Sequence, residues 1–317
     1  MKLGKAVVIL LCVLAVGLPL WAGDTFNYLP SDAIVVAHID VEGLVSSPLT
    51  RSAFDKADSI TLDGETESFL EEAGLDLKKD VTEIVVALTE SKTESDKSDV
   101  LLLVSGRFSP QRLQSATART GELEMRSWAG KSYFVGPHEE MSRFAVAYYN
   151  SGLTVLGSEE AVKRALTAAG GAGTNFLVAS PLGRDLGRIS RDATAWIVVD
   201  VPRAQRLSGD VAAKIGDQVK LGQSLRYVST MAFWANDRGE ALDLGGLAIS
   251  SDRETISLIE DSLRGMTAMW RLAVRDQKPE WLPVIRDFKV GSDTDSVWLR
   301  GTIPADMIQS HMRMAEK

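Results

Sequence analysis

The sequence predicts an α+β fold in which mostly antiparallel sheets carry helices on one face, arranged as two similar halves. Three observations support this prediction. Apolar, β-branched runs recur in pairs joined by short polar turns, which is typical of β-hairpins. Segments with helix-start residues follow these hairpins, which favours helices packed against one side of a sheet. The same order of strand, helix, hairpin, helix, hairpin and helix occurs twice along the chain.

The first half begins with an apolar strand and has one short hairpin more than the second half. A polar segment at 90–98 separates two strongly apolar runs, which predicts a hairpin with an exposed loop. Ser-Pro pairs at 47–48 and 109–110 are typical helix starts, and Ser158 precedes two glutamates that suit a first helical turn. The predicted strands are 34–41, 81–89, 99–108, 125–128, 132–135, 144–149 and 153–156.

The second half repeats this pattern after a glycine-rich stretch at 168–174. A helix is predicted at 202–221, and another follows Pro304. The Ser-Asp-Arg-Glu sequence at 251–254 matches a capping box and predicts the start of a long helix. The predicted strands are 193–201, 227–235, 242–249, 284–290 and 297–303. We therefore divide the chain into a signal segment at 1–23, a first half at 24–170 and a second half at 171–317.

The N-terminal segment predicts export. Lys2 and Lys5 precede an apolar run at 6–20, and the small residue Ala22 suits a cleavage site, which is the order of features in a secretory signal peptide. The alternative is an uncleaved membrane anchor, because the run is close to the length of a spanning helix. The expected location is the periplasm or the extracellular space, with membrane contact only through this segment if it is retained.

Composition excludes several classes of function. The formal net charge is −8, from 35 basic and 43 acidic residues, and no basic cluster occurs. Such a chain is not expected to bind nucleic acid. Its single cysteine, Cys12, lies within the predicted signal segment. The mature protein is therefore expected to have no disulfide and no cysteine metal site.

No motif of an enzyme or cofactor site occurs. The three histidines, His38, His138 and His311, lack metal-type spacing, and no Gly-x-Ser-x-Gly is present. The glycine run at 170–173 is not followed by the Gly-Lys-Ser/Thr of a phosphate-binding loop. We expect no metal and no cofactor, and a role other than catalysis. His38 is interpreted as a hydrogen-bonded histidine of a sheet, with a buried base as the alternative.

Two aspartates occupy equivalent places at the ends of the first strand of each half. If Asp40 and Asp200 faced one another, they would form a candidate pair for general acid and base catalysis. The alternative is that each carboxylate caps the helix that follows it.

The helix predicted after the capping box has a single apolar seam. Its members include Ile259, Leu263, Met266 and Trp270, at alternating spacings of three and four residues. One interpretation is an interaction surface for another envelope protein or a second copy of the chain. The alternative is packing against the sheet. The tryptophans in predicted strands are likewise interpreted as core or sheet-edge residues rather than as a platform for sugars.

The mature start has the sequence Leu-Pro-Ser-Asp-Ala at 29–33, followed by an apolar strand that ends in Asp40 and Val41. This start resembles a group of uncharacterised exported bacterial proteins that open with a Leu-Pro-x-Asp-Ala element. The segment Leu-Thr-Val-Leu-Gly-Ser-Glu-Glu-Ala-Val at 153–162 is similar to the same group. The resemblance implies export and an alternation of hairpins with helices, and it implies no activity or site residues.

These observations predict an exported, non-enzymatic binding or scaffolding protein of the bacterial cell envelope. Two alternatives stay open. One is a soluble carrier of an apolar ligand, held between helices and sheet. The other is a carboxylate-based hydrolase that uses Asp40 and Asp200.

Overall fold

The computed structural model describes residues 25–50, 64–91, 98–138, 143–168, 176–189, 191–208 and 225–315. The predicted signal segment at 1–23 and nearly all of the glycine-rich stretch at 168–174 lie outside the described residues. So does the part of the helix predicted at 202–221 that follows residue 208. Within the described ranges, no helix has both the length and the apolar character needed to cross a membrane.

The chain divides into two compact units, of which unit 1 ends at Arg184 and unit 2 begins at Asp185. The sequence predicts this division earlier, after residue 170. The difference arises because the short helix Phe176–Ala179 contacts the 3-10 helix Phe26–Tyr28 of unit 1. Phe176 is fully buried, and its packing assigns this segment to the first unit.

Unit 1 is an antiparallel sheet with helices. Its strands are β1 (Val35–Asp40), β2 (Val81–Glu90), β3 (Ser98–Gly106), β4 (Glu124–Trp128), β5 (Lys131–Gly136), β6 (Phe144–Asn150) and β7 (Leu153–Ser158). Its helices are α1 (Val41–Ser46), α2 (Gly64–Ala73), α3 (Leu77–Asp80), α4 (Pro110–Thr120), α5 (Glu159–Thr167), α6 (Phe176–Ala179) and α7 (Pro181–Asp185), the last of which ends at the first residue of unit 2. The strands lie in the order β1-β2-β3-β7-β6-β5-β4.

Helices lie against both faces of this sheet, which corrects the prediction of helices on one face. Thr117 of α4 is hydrogen-bonded to Tyr148, which shares a face of the sheet with Val104. Arg164 of α5 is hydrogen-bonded to Asp99, which points to the opposite face. Strands β2 and β3 are apolar on both sides, as is typical of strands that are covered on both faces. Both of their sides therefore need a helix or loop to exclude water.

Unit 2 has the same strand order without the additional hairpin. Its strands are β8 (Ala195–Asp200), β9 (Val228–Asp237), β10 (Ala241–Ser250), β11 (Lys289–Ser292) and β12 (Ser296–Pro304). Its further helices are α8 (Val201–Ser208), α9 (Arg253–Gln277), α10 (Leu282–Asp287) and α11 (Ala305–Ala315). The order β8-β9-β10-β12-β11 corresponds to β1-β2-β3-β7-β6 of unit 1. An internal duplication of the chain stays a prediction.

The long helix α9 packs on one face of the unit 2 sheet. Ile256 and Ile259 form a buried cluster with Val228 and Val297 of the strands, and Met231 packs against it. Because side chains alternate along a strand, the neighbours of Met231 in β9 point to the other face. That second face contains the groove described below.

The structure changes two details of this region. Asp252, not Ser251, is the N-cap of α9, and its carboxylate accepts a hydrogen bond from the Thr255 N–H. The last hairpin is also shorter than predicted, because residues 284–287 belong to α10 and β11 begins only at Lys289. A proline in the first turn of α10 favours a helix there.

Candidate functional site

A row of directly opposed residues crosses the unit 2 sheet on the face that α9 does not cover. Lys289 of β11 is opposite Arg300 of β12, which is opposite Gly245 of β10. Gly245 is opposite Trp234 of β9, and Trp234 is opposite Trp196 of β8. Directly opposed residues of antiparallel strands point to the same face. Residues from five strands are therefore aligned on this surface.

The two glycines of this face are covered by indole rings. A Cβ atom at Gly245 would lie 2.0 Å from Cε2 of Trp234, so the ring occupies the space above Gly245. Similarly, a Cβ atom at Gly291 would lie 2.4 Å from Cζ2 of Trp298. Both tryptophans reach across to the neighbouring strand because a glycine is opposite each of them. The rings lie flat on the sheet as a result.

Arg300 lies between these two indole rings. The guanidinium carbon is 5.3 Å from the ring centroid of Trp298 and 6.0 Å from that of Trp234. Stacking on aromatic rings restricts a guanidinium group while leaving its N–H groups available at the edge. Arg300 is exposed to solvent, so its charge is held in a defined place and remains accessible.

A groove of about 480 Å³ opens beside this row. Its size falls within the roughly 300–1,000 Å³ that is common for small-molecule sites. The lining includes four cationic and two anionic side chains. The lining residues are Arg188, Trp234, Asn236, Arg238, Asp243, Leu244, Asp287, Lys289, Arg300, Gly301 and Thr302.

Two of the four cations are already paired with carboxylates. Arg188 donates to both carboxylate oxygens of Asp295, at 2.9 and 2.7 Å. This bidentate contact raises the pKa of Arg188 and lowers the pKa of Asp295. Arg238 lies 2.5 Å from Asp243. Both arginines therefore hold the rim of the groove together and contribute little uncompensated charge.

The other two cations, Lys289 and Arg300, face each other. In the described ranges, neither forms an ion pair with a carboxylate. Like charges directly opposite one another on neighbouring strands are destabilising. An anion bound between them would remove this repulsion, so the site favours a negatively charged group.

The carboxylates of the groove are oriented by Thr302. Its hydroxyl donates to Asp243 at 2.9 Å, and its backbone N–H donates to Asp287 at 3.2 Å. The two acids are thus fixed at the same edge of the groove, next to the cations. Since carboxylates accept hydrogen bonds and cannot donate them, this edge suits a ligand with hydrogen-bond donors such as hydroxyl groups.

A second polar cluster is buried in unit 1. His38 Nε2 lies 3.0 Å from Glu83 Oε1. Thr25 and Ser105 donate to the other carboxylate oxygen, Oε2, at 2.9 and 3.1 Å. All four side chains are buried. Burial by itself raises the pKa of Glu83. The hydrogen bond and the charge of His38, together with the hydrogen bonds from the Thr25 and Ser105 hydroxyls, bring the pKa of Glu83 below its ordinary value.

The geometry of this cluster does not match that of an activated nucleophile. Such a site needs a base that takes the proton of the attacking hydroxyl. Here both hydroxyls and the histidine are directed at the same carboxylate, and burial keeps substrate away. The cluster ties β1, β2 and β3 to the start of unit 1, in agreement with the interpretation of His38 as a hydrogen-bonded histidine of the sheet. No sequence motif identifies Glu83, because it is a lone acid in an apolar strand.

The two aspartates of the predicted acid pair each bond to the helix that follows them. Asp40 is the N-cap of α1 and accepts from the Gly43 N–H at 2.9 Å. Asp200 accepts from the Arg203 N–H at 3.0 Å at the start of α8. Asp40 belongs to unit 1 and Asp200 to unit 2. The observed contacts are those of helix caps.

The apolar seam of α9 is divided between core and surface. Ile259 is 5% exposed and lies in the core, and Leu263 packs against the same cluster. Met266 is half-buried, whereas Trp270 is 41% exposed near the end of the helix. An interaction surface for another envelope protein or a second copy stays a prediction, and only the Trp270 end of the seam is accessible for it.

The groove itself was not predicted from the sequence. Its residues come from β9, β10, β11, β12, the turn between β9 and β10, the end of α10 and the 3-10 helix Leu186–Arg188, and they have no common motif. The tryptophans of the predicted strands were interpreted as core or sheet-edge residues, and the glycines opposite them are identified only by the strand register.

Comparison with known proteins supports the fold. No protein-family model matches the chain, and no curated protein matches it. Crystal form I of TP0453, a Treponema protein, has a TM-score of 0.50 and 12% sequence identity, covering 92% of this chain and 98% of that chain. Crystal form III has a TM-score of 0.50 and 12% identity, covering 91% and 97%. At this identity the similarity shows the fold alone.

Proposed function

We propose that this chain is a non-enzymatic binding protein of the bacterial cell envelope and that its ligand occupies the groove of unit 2. The main observation is the pair of opposed cations, Lys289 and Arg300, which have no carboxylate partner in the described part of the chain. Folding a sheet with two like charges opposite one another is unfavourable. A bound anion compensates for this cost, which makes ligand binding a physical reason for the arrangement.

The envelope part of the proposal has two supports. The predicted signal segment indicates export, and the fold is similar to that of TP0453, a bacterial envelope-associated protein. The non-enzymatic part is supported by the contacts of the polar groups. Asp243 and Asp287 are fixed by Thr302, and the His38 cluster is buried away from solvent.

The proposal is tested by isolating the chain from the envelope of a producing bacterium and analysing it by native mass spectrometry. We expect the full chain to co-purify with the envelope fraction and to have a bound ligand that adds mass. The double variant Lys289→Gln, Arg300→Gln should lose this added mass. Arg253→Gln, which removes a cation of α9 outside the groove, serves as the matched control and should keep it.

Three results would contradict the proposal. The first is a chain that remains in the cytoplasm. The second is an absence of added mass, or the same added mass in wild type and double variant. The third is conversion of the recovered ligand into a product by fresh protein, which would make the chain an enzyme.

A further inference from the structure

We infer that the ligand of the groove is an acidic sugar, with its ring stacked on Trp234 and its phosphate or carboxylate group between Arg300 and Lys289. This inference rests on the proposed function and specifies the chemistry of the same site. It combines three features of the groove: a place for an anion, a flat aromatic surface and an edge of hydrogen-bond acceptors.

The place for the anion is defined by the two opposed cations. Directly opposed residues on antiparallel strands have Cβ atoms about 5 Å apart. Lys289 and Arg300 can therefore reach one phosphate or carboxylate group together. Arg300 is restricted by its two indole neighbours, and a planar guanidinium binds the oxygens of such a group in a bidentate manner. The site is thus partly organised before the ligand arrives.

The flat surface is the indole ring of Trp234. One side of the ring covers Gly245, and Trp234 is part of the groove lining whereas Gly245 is not. The other side of the ring therefore borders the groove, and it is shared with the guanidinium of Arg300, whose carbon is 6.0 Å from the ring centroid. A sugar ring presents a flat face of C–H groups, which packs on such an apolar surface without leaving polar atoms unpaired.

The edge of acceptors explains why the ligand needs hydroxyl groups. Asp243 and Asp287 lie in the same groove as the cations, where they repel a ligand that has negative charge on every side. Sugar hydroxyls donate hydrogen bonds to carboxylates. A molecule with one anionic group and several hydroxyls satisfies both parts of the lining.

The charge balance disfavours a zwitterion such as an aromatic amino acid. Lys289 and Arg300 have no carboxylate partner in the described part of the chain, whereas Asp243, one of the two groove carboxylates, is already paired with Arg238. An ammonium group would meet this excess of positive charge. The arrangement therefore favours a ligand whose only charge is negative.

The test is a titration of the purified full chain by isothermal calorimetry with five probes: glucose, glucose 6-phosphate, glucuronate, inorganic phosphate and tyrosine. We expect glucose 6-phosphate, glucuronate or both to bind at least tenfold more tightly than the other three. Tight binding of the phosphate sugar alone identifies a phosphate ligand, and tight binding of glucuronate alone identifies a carboxylate ligand.

Single substitutions test the anion site and the aromatic surface separately. Arg300→Gln and Lys289→Gln should each weaken binding of the acidic sugar at least tenfold, and Arg300→Lys should only partly restore it. Trp234→Ala should weaken the binding of the acidic sugar by a larger factor than it weakens the binding of inorganic phosphate, because the second indole, Trp298, still restricts Arg300. Arg253→Gln again serves as the control. The comparison of the five probes with the wild-type protein tests the inference even if a variant fails to fold.

The inference is overturned if glucose binds as tightly as the acidic sugars, if inorganic phosphate does so, if tyrosine binds most tightly, or if none of the probes binds. In the last two cases, a groove-dependent added mass in the native spectrum would still support the proposed function. The two hypotheses can therefore fail separately.

Discussion

The indole ring of Trp234 occupies the space that any side chain at Gly245 would need. A Cβ atom there would lie 2.0 Å from Cε2 and 2.1 Å from Cζ2 of the ring. We therefore expect Gly245→Ala to lift the ring from the sheet. This should shift the tryptophan emission spectrum and lower the affinity of the groove for acidic sugars by about tenfold, or about 1.4 kcal/mol.

The adjacent glycine provides the control for this change. Gly246 points to the other face of β10, where a Cβ atom would lie 3.3 Å from Phe233 Cδ1. Gly246→Ala should leave the emission of Trp234 unchanged. The spectral shift caused by Gly245→Ala should also disappear in a Trp234→Phe background. A shift that persists in that background would originate from another tryptophan.

Glu83 is expected to make the stability of unit 1 depend on pH in the acid range. Its pKa in the folded protein is below the ordinary value of 4.5. Its carboxylate therefore stabilises the fold above that pH, and this contribution is lost as the pH falls toward the folded pKa. Glu83→Gln should weaken this dependence below about pH 4.5 and lower the unfolding free energy at pH 7 by about 1–3 kcal/mol.

Urea unfolding at a series of pH values measures this effect. Glu71→Gln, which replaces an exposed carboxylate of α2, is the matched control and should retain the wild-type dependence. The same acid dependence in Glu83→Gln and wild type would show that the buried cluster is not its source.

The start of α9 depends on Asp252 rather than on the preceding serine. Asp252→Ala removes the acceptor for the Thr255 N–H and hydroxyl. We expect it to lower the unfolding free energy of unit 2 by about 0.5–2 kcal/mol. Ser251→Ala should have little effect on the unfolding free energy. A larger loss of stability in Ser251→Ala than in Asp252→Ala would show that Ser251 is the N-cap, as the sequence predicts.

Asp40 and Asp200 are expected to respond to substitution as helix caps. Asparagine is about as good a cap as aspartate, so Asp40→Asn and Asp200→Asn should be nearly neutral in thermal unfolding. The two alanine variants should each cost about 1 kcal/mol. Loss of an activity in the asparagine variants, with unchanged stability, would instead support the carboxylate-based hydrolase.

Substitutions along the apolar seam of α9 should lower stability strongly in the core and only slightly at the surface. Ile259→Ala is expected to cost about 2–5 kcal/mol, because it leaves a cavity in the buried cluster. Trp270→Ala should change stability by less than about 0.5 kcal/mol, since its ring is exposed. Light scattering will show whether Trp270→Ala reduces self-association. An equal loss of stability in both variants would place Trp270 in the core.

Local pattern predicted the strands well and the helix ends less well. The apolar runs around Val85 and Leu102 lie in strands as predicted, because short continuous runs of β-branched and other apolar residues are typical of strands buried on both faces. Residues 284–287 form a helix although they are as apolar as the strand that follows. Short apolar segments are ambiguous in this way, and a nearby proline decided between the two structures.

The sequence by itself determined the alternation of hairpins and helices, the combination of helices with a large antiparallel sheet and the excess of negative charge. Only the tertiary structure decided which polar groups meet. Glu83 lies next to His38, and Trp234 lies near Arg300, through the register of strands that are distant in sequence. A shift of one residue in that register would move every side chain of a strand to the other face. The register depends on packing across the whole sheet, so the groove cannot be derived from any one segment.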